Sequence, residues 1–282
     1  MQKVNLNIIM TILLLVTVVS FILCNLLDAF IPETAFIIVF ILPFLVIIVI
    51  HGWKTLGTRE LLVFFLIAYS LALLYEYGGV MWGELIGVKY YYTDLLGPKF
   101  LSKVPYIIPL VWSMSLYCAF TMTNIIFNRI KTNHKPWEQK SIRWFLKIIG
   151  MGIVTGLIMA SWDLINDPVM VAMGAWNWPG GGLYYGVPLW NYEGWIEISA
   201  LTFVLFSLYL HRMKRNQIFI GKEKRSSYTL LVVCLYLTIL LFYAIYAVYE
   251  NVMYVIPWAT ITMVSAAIIT IVQFYRFSYK KG

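Results

Sequence analysis

Long apolar runs constrain this chain more than any other feature of its sequence. A helix needs about 20 mostly apolar residues to cross the hydrocarbon core of a bilayer. The candidate runs are 7–27, 34–50, 61–77, 106–127, 144–162, 194–211, 229–249 and 254–275. They lack the alternation of β-barrel strands, and the mean hydropathy is +0.81. We therefore predict an all-α integral membrane protein forming one polytopic domain over 1–282, with about eight transmembrane helices, or seven if the short second run is excluded.

Basic residues predict how these helices are oriented. With both termini in the cytoplasm, all of the 21 Lys and Arg residues fall on the cytoplasmic side except Lys89, Lys99 and Lys103. This distribution follows the positive-inside rule, so we predict a multi-pass protein of the cell membrane with both termini cytoplasmic. Basic loops facing anionic lipid also explain the net charge of +8. Membrane lipid is an expected partner, and nucleic acid is not.

Two aromatic, acid-bearing loops, about 76–112 and 163–195, lie on the predicted outer side. Each starts at a carboxylate, reaches a glycine eleven positions later, and then carries a Val-Pro with a tryptophan seven positions after the proline. These anchors are Glu76, Gly87, Val104-Pro105 and Trp112 in the first loop, and Asp163, Gly174, Val187-Pro188 and Trp195 in the second. The matched spacings predict an internal repeat.

Carboxyl groups near the ends of the predicted helices are the candidate catalytic residues. They are Asp163, Asp167, Glu76, Asp94 and Glu197. Carboxyl groups inside apolar runs are costly and are usually retained for function. Asp163, Asn166 and Asp167 share one helical face at spacings of three and four, in a helix that we expect Pro168 to end. Two adjacent carboxyl groups in a low dielectric do not both ionise readily, so one keeps a proton and can act as a general acid.

Aromatic residues and one amide accompany these acids as candidate substrate-binding residues. They are Tyr91, Trp112, Trp176, Trp178, Asn191 and Trp195. An aromatic face stabilises positive charge by about 0.5–2 kcal/mol. Acids within aromatic walls therefore suit an alkene that is protonated to a carbocation. The alternative interpretation is an aromatic lid that only packs the helices together.

Other active-site chemistries lack their sequence motifs. The chain contains no Gly-x-Ser-x-Gly elbow, phosphate-binding loop or His-Glu-x-x-His pattern. Its three histidines, His51, His134 and His211, fall on the predicted inner side, away from the acids, which argues against a histidine-ligated di-iron site. Its three cysteines lie within apolar runs without paired spacing. We expect neither a metal nor a cofactor.

Two motifs in the loops resemble signatures of the membrane carotenoid-biosynthesis hydratase family. The first is Glu76-x-Gly78 followed by Gly87-Val88-Lys89-Tyr90-Tyr91-Tyr92-Thr93-Asp94-x-x-Gly97-Pro98. The second combines Asp163-x-x-x-Asp167-Pro168, Gly174-x-Trp176-x-Trp178 and Gly186-Val187-Pro188-x-x-Asn191-x-x-Gly194-Trp195. The resemblance covers about residues 60–210.

This resemblance implies an enzyme of carotenoid biosynthesis that hydrates a terminal C=C without a cofactor. The implied substrate is an acyclic or bacterioruberin-type C50 carotenoid, the product is a tertiary alcohol, and other enzymes of the pathway are candidate partners. From the residues themselves we hypothesise that Asp163 or Asp167 protonates the alkene. The side chains of Trp176, Trp178 and Tyr91 would line the cation, and Glu76, Asp94 or Asn191 would hold the water.

Two other functions remain open at the level of sequence. An intramembrane prenyltransferase is suggested by the spacing of Asp163 and Asp167, although such enzymes normally use a second acidic motif and Mg²⁺. A proton-coupled transporter could use Glu76, Asp163 and Glu197 as a relay, and an internal repeat is typical of transporters.

Overall fold

The computed structural model describes residues 6–26, 40–83, 89–127, 142–213 and 228–279. Within these ranges the chain is mainly helical. Its helices are α1 (Leu6–Leu26), α2 (Leu42–Thr55), α3 (Thr58–Trp82), α4 (Ile107–Ile126), α5 (Ile142–Ala172), α6 (Leu189–Arg212), α7 (Tyr228–Tyr249) and α8 (Ile256–Tyr279). A 3-10 turn, Met253–Val255, precedes α8.

Each predicted apolar run corresponds to one of these helices, and α2 is the shortest, as its run suggested. Five helical segments in the described part of the chain are long and apolar enough to cross a membrane. They are Thr58–Trp82, Ile142–Ala172, Leu189–Arg212, Thr229–Tyr249 and Met253–Arg276. These segments support the membrane class, whereas eight spans, cytoplasmic termini and the sidedness of the loops stay predictions.

Helix α4 lies at the centre of the bundle, in contact with α2, α3, α5, α7 and α8. Every side chain from Trp112 to Ile125 is buried. Two of its polar side chains bond within the protein: Ser113 Oγ donates to the Pro109 carbonyl at 2.6 Å, and Thr155 Oγ1 of α5 donates to Thr123 Oγ1 at 2.9 Å. Because protein surrounds it, α4 does not need the apolar surface of a lipid-facing helix.

Helices α5 and α6 pack closely through two glycines, one helical turn apart on α5. A Cβ at Gly156 would lie 2.6 Å from the Ile196 carbonyl oxygen, and one at Gly152 would lie 3.0 Å from the Ala200 carbonyl oxygen. Small residues at such contacts let helix backbones approach each other in a membrane. This packing holds the middle of α5 against the first half of α6.

We expect Gly156→Ala to lower the thermal stability of the purified protein in detergent. The added methyl group would overlap the backbone of Ile196, and overpacking of this kind costs about 1–3 kcal/mol. Gly150→Ala is the matched control, because nothing lies within 4 Å of its added Cβ. Equal denaturation midpoints for the two variants would contradict the packing role of Gly156.

Helix α5 continues past Pro168 and ends at Ala172, so the prediction that the proline ends the helix is wrong. Proline has no amide hydrogen, so the Leu164 carbonyl, four residues earlier, loses its helical donor. Tyr184 Oη donates to that carbonyl at 3.0 Å instead. The substitute hydrogen bond from a loop residue helps the acidic face of α5 to remain helical through the proline.

Two antiparallel ribbons order the loops at one end of the bundle. Their strands are β1 (Tyr91–Tyr92), β2 (Lys99–Phe100), β3 (Val104–Pro105) and β4 (Trp176–Asn177). Strand β1 pairs with β4 and therefore joins the two predicted loops, whereas β2 pairs with β3 within the first loop. Thr93 Oγ1 adds a hydrogen bond to the Gly174 carbonyl at 2.7 Å. Gly87, an anchor of the predicted repeat, lies outside the described residues, and the repeat stays a prediction.

Candidate functional site

Glu76 lies near the end of α3 and accepts hydrogen bonds from two tyrosines. Tyr90 Oη donates to Glu76 Oε2 at 2.5 Å, and Tyr92 Oη donates to the same oxygen at 2.6 Å. Burial first, and then the neighbouring charge of Glu76, raise the pKa of Tyr90 and of Tyr92 well above the usual value. Both phenols therefore stay protonated at neutral pH and act as fixed donors to Glu76.

Tyr91, between them, points the other way. Successive side chains of a strand face opposite sides, so Tyr91 leaves the Glu76 side, is 46% exposed and accepts a hydrogen bond from Asn177 Nδ2 at 3.1 Å. Tyr91 therefore lies away from Glu76, which Tyr90 and Tyr92 contact instead, and its role in substrate binding stays a prediction. The sequence shows three consecutive tyrosines, but only the register of β1 shows which of them face Glu76.

Asp163 and Asp167 form a buried pair on α5, with 0% and 3% of their surface exposed. Asn191 Nδ2, on α6, donates to Asp163 Oδ2 at 2.9 Å and also to Asp167 Oδ2. Asn166 Nδ2 donates to the other Asp163 oxygen at 3.1 Å. The two carboxyl groups interact electrostatically with each other and with Glu76. Two adjacent buried carboxyl groups do not both ionise readily, so one of them keeps a proton.

A cavity of about 710 Å³ lies between the end of α3 and the beginning of α6. Its inner wall includes Glu76, Tyr90, Trp178 and Asn191. The Asp163–Asp167 pair is absent from the lining and lies directly behind Asn191. The cavity thus has Glu76 on its inner wall and Glu193 and Glu197 elsewhere in its lining. Two more carboxyl groups lie behind an amide that contacts both.

Tryptophans supply most of the aromatic surface. Trp178 packs on Tyr90 with 4.4 Å between ring centroids, and Trp112 and Trp195 line another part of the cavity with their centroids 5.8 Å apart. Trp176 is buried against Tyr92 at 5.7 Å and does not line the cavity. It packs against Tyr92, one of the two hydrogen-bond donors to Glu76, whereas the sequence predicted that it would line the substrate site.

Glu197 and Asp94 lie apart from the buried acids. Glu197 is at the rim of the cavity and accepts a hydrogen bond from Tyr75 Oη at 2.6 Å. Asp94 is fully exposed in the turn after β1 and is paired with Lys99 Nζ at 2.7 Å. The hydrogen bond and charge of Lys99 hold the pKa of Asp94 below its usual value. Asp94 therefore lies apart from the buried acids, and its catalytic role stays a prediction.

The described residues contain no group of three His, Cys, Asp or Glu side chains arranged to hold a metal ion. His51 is buried toward the opposite end of the bundle, where its Nδ1 lies 2.7 Å from Tyr117 Oη. His211 packs on Trp144 with 4.7 Å between ring centroids. Neither histidine is among the partners of Glu76, Asp163 or Asp167.

Comparison with known proteins relates this chain to one family. A family model described as carotenoid biosynthesis protein matches residues 33–268. Bisanhydrobacterioruberin hydratase of Haloarcula japonica is 29% identical over 138 residues, which cover 47% of this chain and 41% of that protein. The match thus spans less than half the length of the curated relative. No solved structure matches the chain.

Proposed function

Because the chain belongs to the carotenoid biosynthesis protein family, we propose that it adds water to a terminal C=C of an acyclic or C50 carotenoid. Its relative is named as a hydratase, which supports this type of reaction. The observation that carries the proposal is the buried Asp163–Asp167 pair, linked by Asn191 to the wall of an aromatic cavity. Such a site offers a proton beside an apolar space.

The first step is proton transfer from the aspartate pair to the alkene, for which the Asn191 side chain must move aside so that one carboxyl group reaches the cavity. The O–H bond of the protonated carboxyl breaks, a C–H bond forms at the less substituted carbon, and the carboxyl group becomes a carboxylate. The positive charge then resides on the tertiary carbon. The faces of Trp178 and Tyr90, which line the cavity, stabilise this cation through their quadrupoles.

Addition of water completes the reaction. The water oxygen forms a bond to the tertiary carbon while Glu76 takes one of its protons, and the product is a tertiary alcohol. Transfer of that proton back to the aspartate pair restores the starting state, so one water is consumed and no redox change occurs. The hydroxyl groups of Tyr90 and Tyr92 hold Glu76 in place for this role.

The decisive experiment is expression of the chain in cells that accumulate acyclic C40 or C50 carotenoids, followed by mass spectrometry of the pigments. We expect a gain of one water per reacted end, with an unchanged chromophore. No new pigment in either strain, despite verified membrane insertion, would overturn the proposal. Proton-coupled uptake into vesicles would then favour a transporter, and strict Mg²⁺ dependence a prenyltransferase.

We expect Gly79→Ala to reduce hydration by about tenfold, because it disturbs a hydrogen bond worth about 1–1.5 kcal/mol. The added Cβ would lie 2.7 Å from Tyr90 Oη. The Tyr90 ring is confined by Trp178 on another side, so it must shift relative to Glu76. Gly78→Ala is the matched control, since its Cβ would meet only Trp82, at 3.6 Å. Equal pigment conversion by both variants would contradict this role of Tyr90.

A further inference from the structure

The cavity opens through the side of the helix bundle. Residues Ala72, Tyr75 and Gly79 of α3 face residues Trp190, Gly194 and Glu197 of α6 across it. Each set follows the three- and four-residue spacing of one helix face. The opening is therefore a gap between two adjacent helices that are both long and apolar enough to span the membrane.

The rim of this gap is apolar and exposed. Leu74, Trp82 and Trp190 are 67%, 60% and 65% exposed, and all three line the cavity. Large apolar side chains exposed on a membrane-spanning helix face lipid tails rather than water. The cavity is thus continuous with the apolar exterior of the bundle.

One polar contact crosses the gap. Tyr75 Oη of α3 donates to Glu197 Oε2 of α6 at 2.6 Å. Glu197 is eight residues into α6, or about 12 Å along the helix axis, and a carboxyl group at such a position in a span is costly. Gly194, one turn before it, leaves room for the phenol ring, since a Cβ there would lie 3.2 Å from Tyr75 Cε1.

We propose that the gap between α3 and α6 is the portal through which a long apolar substrate enters from the bilayer, and that Tyr75 and Glu197 form its latch. The proposal rests on the proposed function, which supplies a polyene substrate dissolved in lipid. One end of the polyene passes between the helices when the hydrogen bond opens. Glu197 is then a positioning residue of the entry route and not a catalytic residue. The catalytic residues are Glu76 and the aspartate pair.

Reversible blockage of the rim tests the route. Leu74→Cys is treated with a bulky, membrane-permeant methanethiosulfonate, and Leu66→Cys is the matched control, since Leu66 is on the same helix and equally exposed at 67% but does not line the cavity. We expect hydration to fall at least tenfold in labelled Leu74→Cys and to recover when a reductant removes the label. Recovery excludes misfolding. Equal effects of labelling at both positions, or none at Leu74→Cys, would overturn the portal.

Removal of the latch tests the hydrogen bond. Tyr75→Phe and Glu197→Ala each delete one partner, and we expect each to raise kcat/KM about two- to tenfold, the range of one ordinary hydrogen bond, with little effect on kcat. The double variant should gain no more than either single one, because both remove the same contact. If turnover is lost in Glu197→Ala but not in Tyr75→Phe, Glu197 is a catalytic residue and the proposed latch is wrong.

A binding measurement separates this inference from the proposed reaction. An acyclic polyene in the cavity should quench the fluorescence of the tryptophans that line it, whether or not it is hydrated. Quenching that is lost in labelled Leu74→Cys and kept in labelled Leu66→Cys would support the portal even if no hydration occurs. Hydration by the wild-type protein with identical quenching in both labelled variants would retain the function and exclude the portal.

Discussion

Replacing Asp163 with asparagine is expected to lower hydration by about 10²- to 10⁴-fold, the usual contribution of a general acid. Asparagine has nearly the same shape, but it has no acidic proton to give to the alkene. It keeps one oxygen that can accept from Asn166 or from Asn191, though not from both, and we expect the protein still to fold and insert. The measurement is pigment conversion normalised to the amount of protein in the membrane.

The control for this variant is Asp94→Asn, which removes a carboxylate that is exposed and paired with Lys99. We expect it to retain wild-type conversion within about twofold, because solvent screens an exposed ion pair and such a pair contributes little. Asp167→Asn should resemble Asp163→Asn, and the double variant should be little worse than either, because residues that act as one unit are not additive. Full activity of Asp163→Asn would remove the aspartate pair from the chemistry.

Glu76→Gln is expected to cause a loss of similar size, about 10²- to 10⁴-fold, but at a different step. The glutamine cannot take the proton of the attacking water, whereas the aspartate pair can still protonate the alkene. The cation then returns its proton instead of being hydrated. In D₂O the recovered carotenoid should therefore gain deuterium near its terminal double bond, although little alcohol forms.

This isotope measurement separates the two roles. Asp163→Asn should show neither deuterium exchange nor hydration, and Glu76→Gln should show exchange alone. The reverse pattern would exchange the assignments of acid and base. Tyr90→Phe should weaken hydration by about tenfold through loss of one donor to Glu76. Tyr91→Phe, which changes the next residue on the outward face of β1, serves as its control.

The helices were largely predictable because apolar length and helical spacing are local properties of a sequence. The apolar runs matched the described helices, and the face shared by Asp163, Asn166 and Asp167 is present. The end of α5 was not predictable, since the hydrogen bond that carries it past Pro168 comes from Tyr184 in a distant loop. A local sequence pattern does not predict the end of a helix when a distant residue replaces the hydrogen-bond donor that a proline removes.

The site was predictable in composition but not in arrangement. Glu76, Asn191 and Trp178 do come together, yet the choice between Tyr90, Tyr91 and Tyr92 depended on the pairing of β1 with β4, more than 80 residues apart. The contact between Tyr75 and Glu197 spans 122 residues and has no sequence signature. Asp94 resembled the other acids in the sequence, and its full exposure and its pairing with Lys99 distinguish it in the structure.

The enclosed position of α4 has a consequence for biogenesis. A membrane insertase sorts each nascent helix largely by its own apolarity, and α4 carries Ser113, Ser115, Thr121, Thr123 and Asn124 on surfaces that only other helices cover. These covering helices include α5, α7 and α8, which are synthesised after it. Stable integration of α4 therefore depends on later helices, and truncating the chain after residue 127 should release α4 from the membrane.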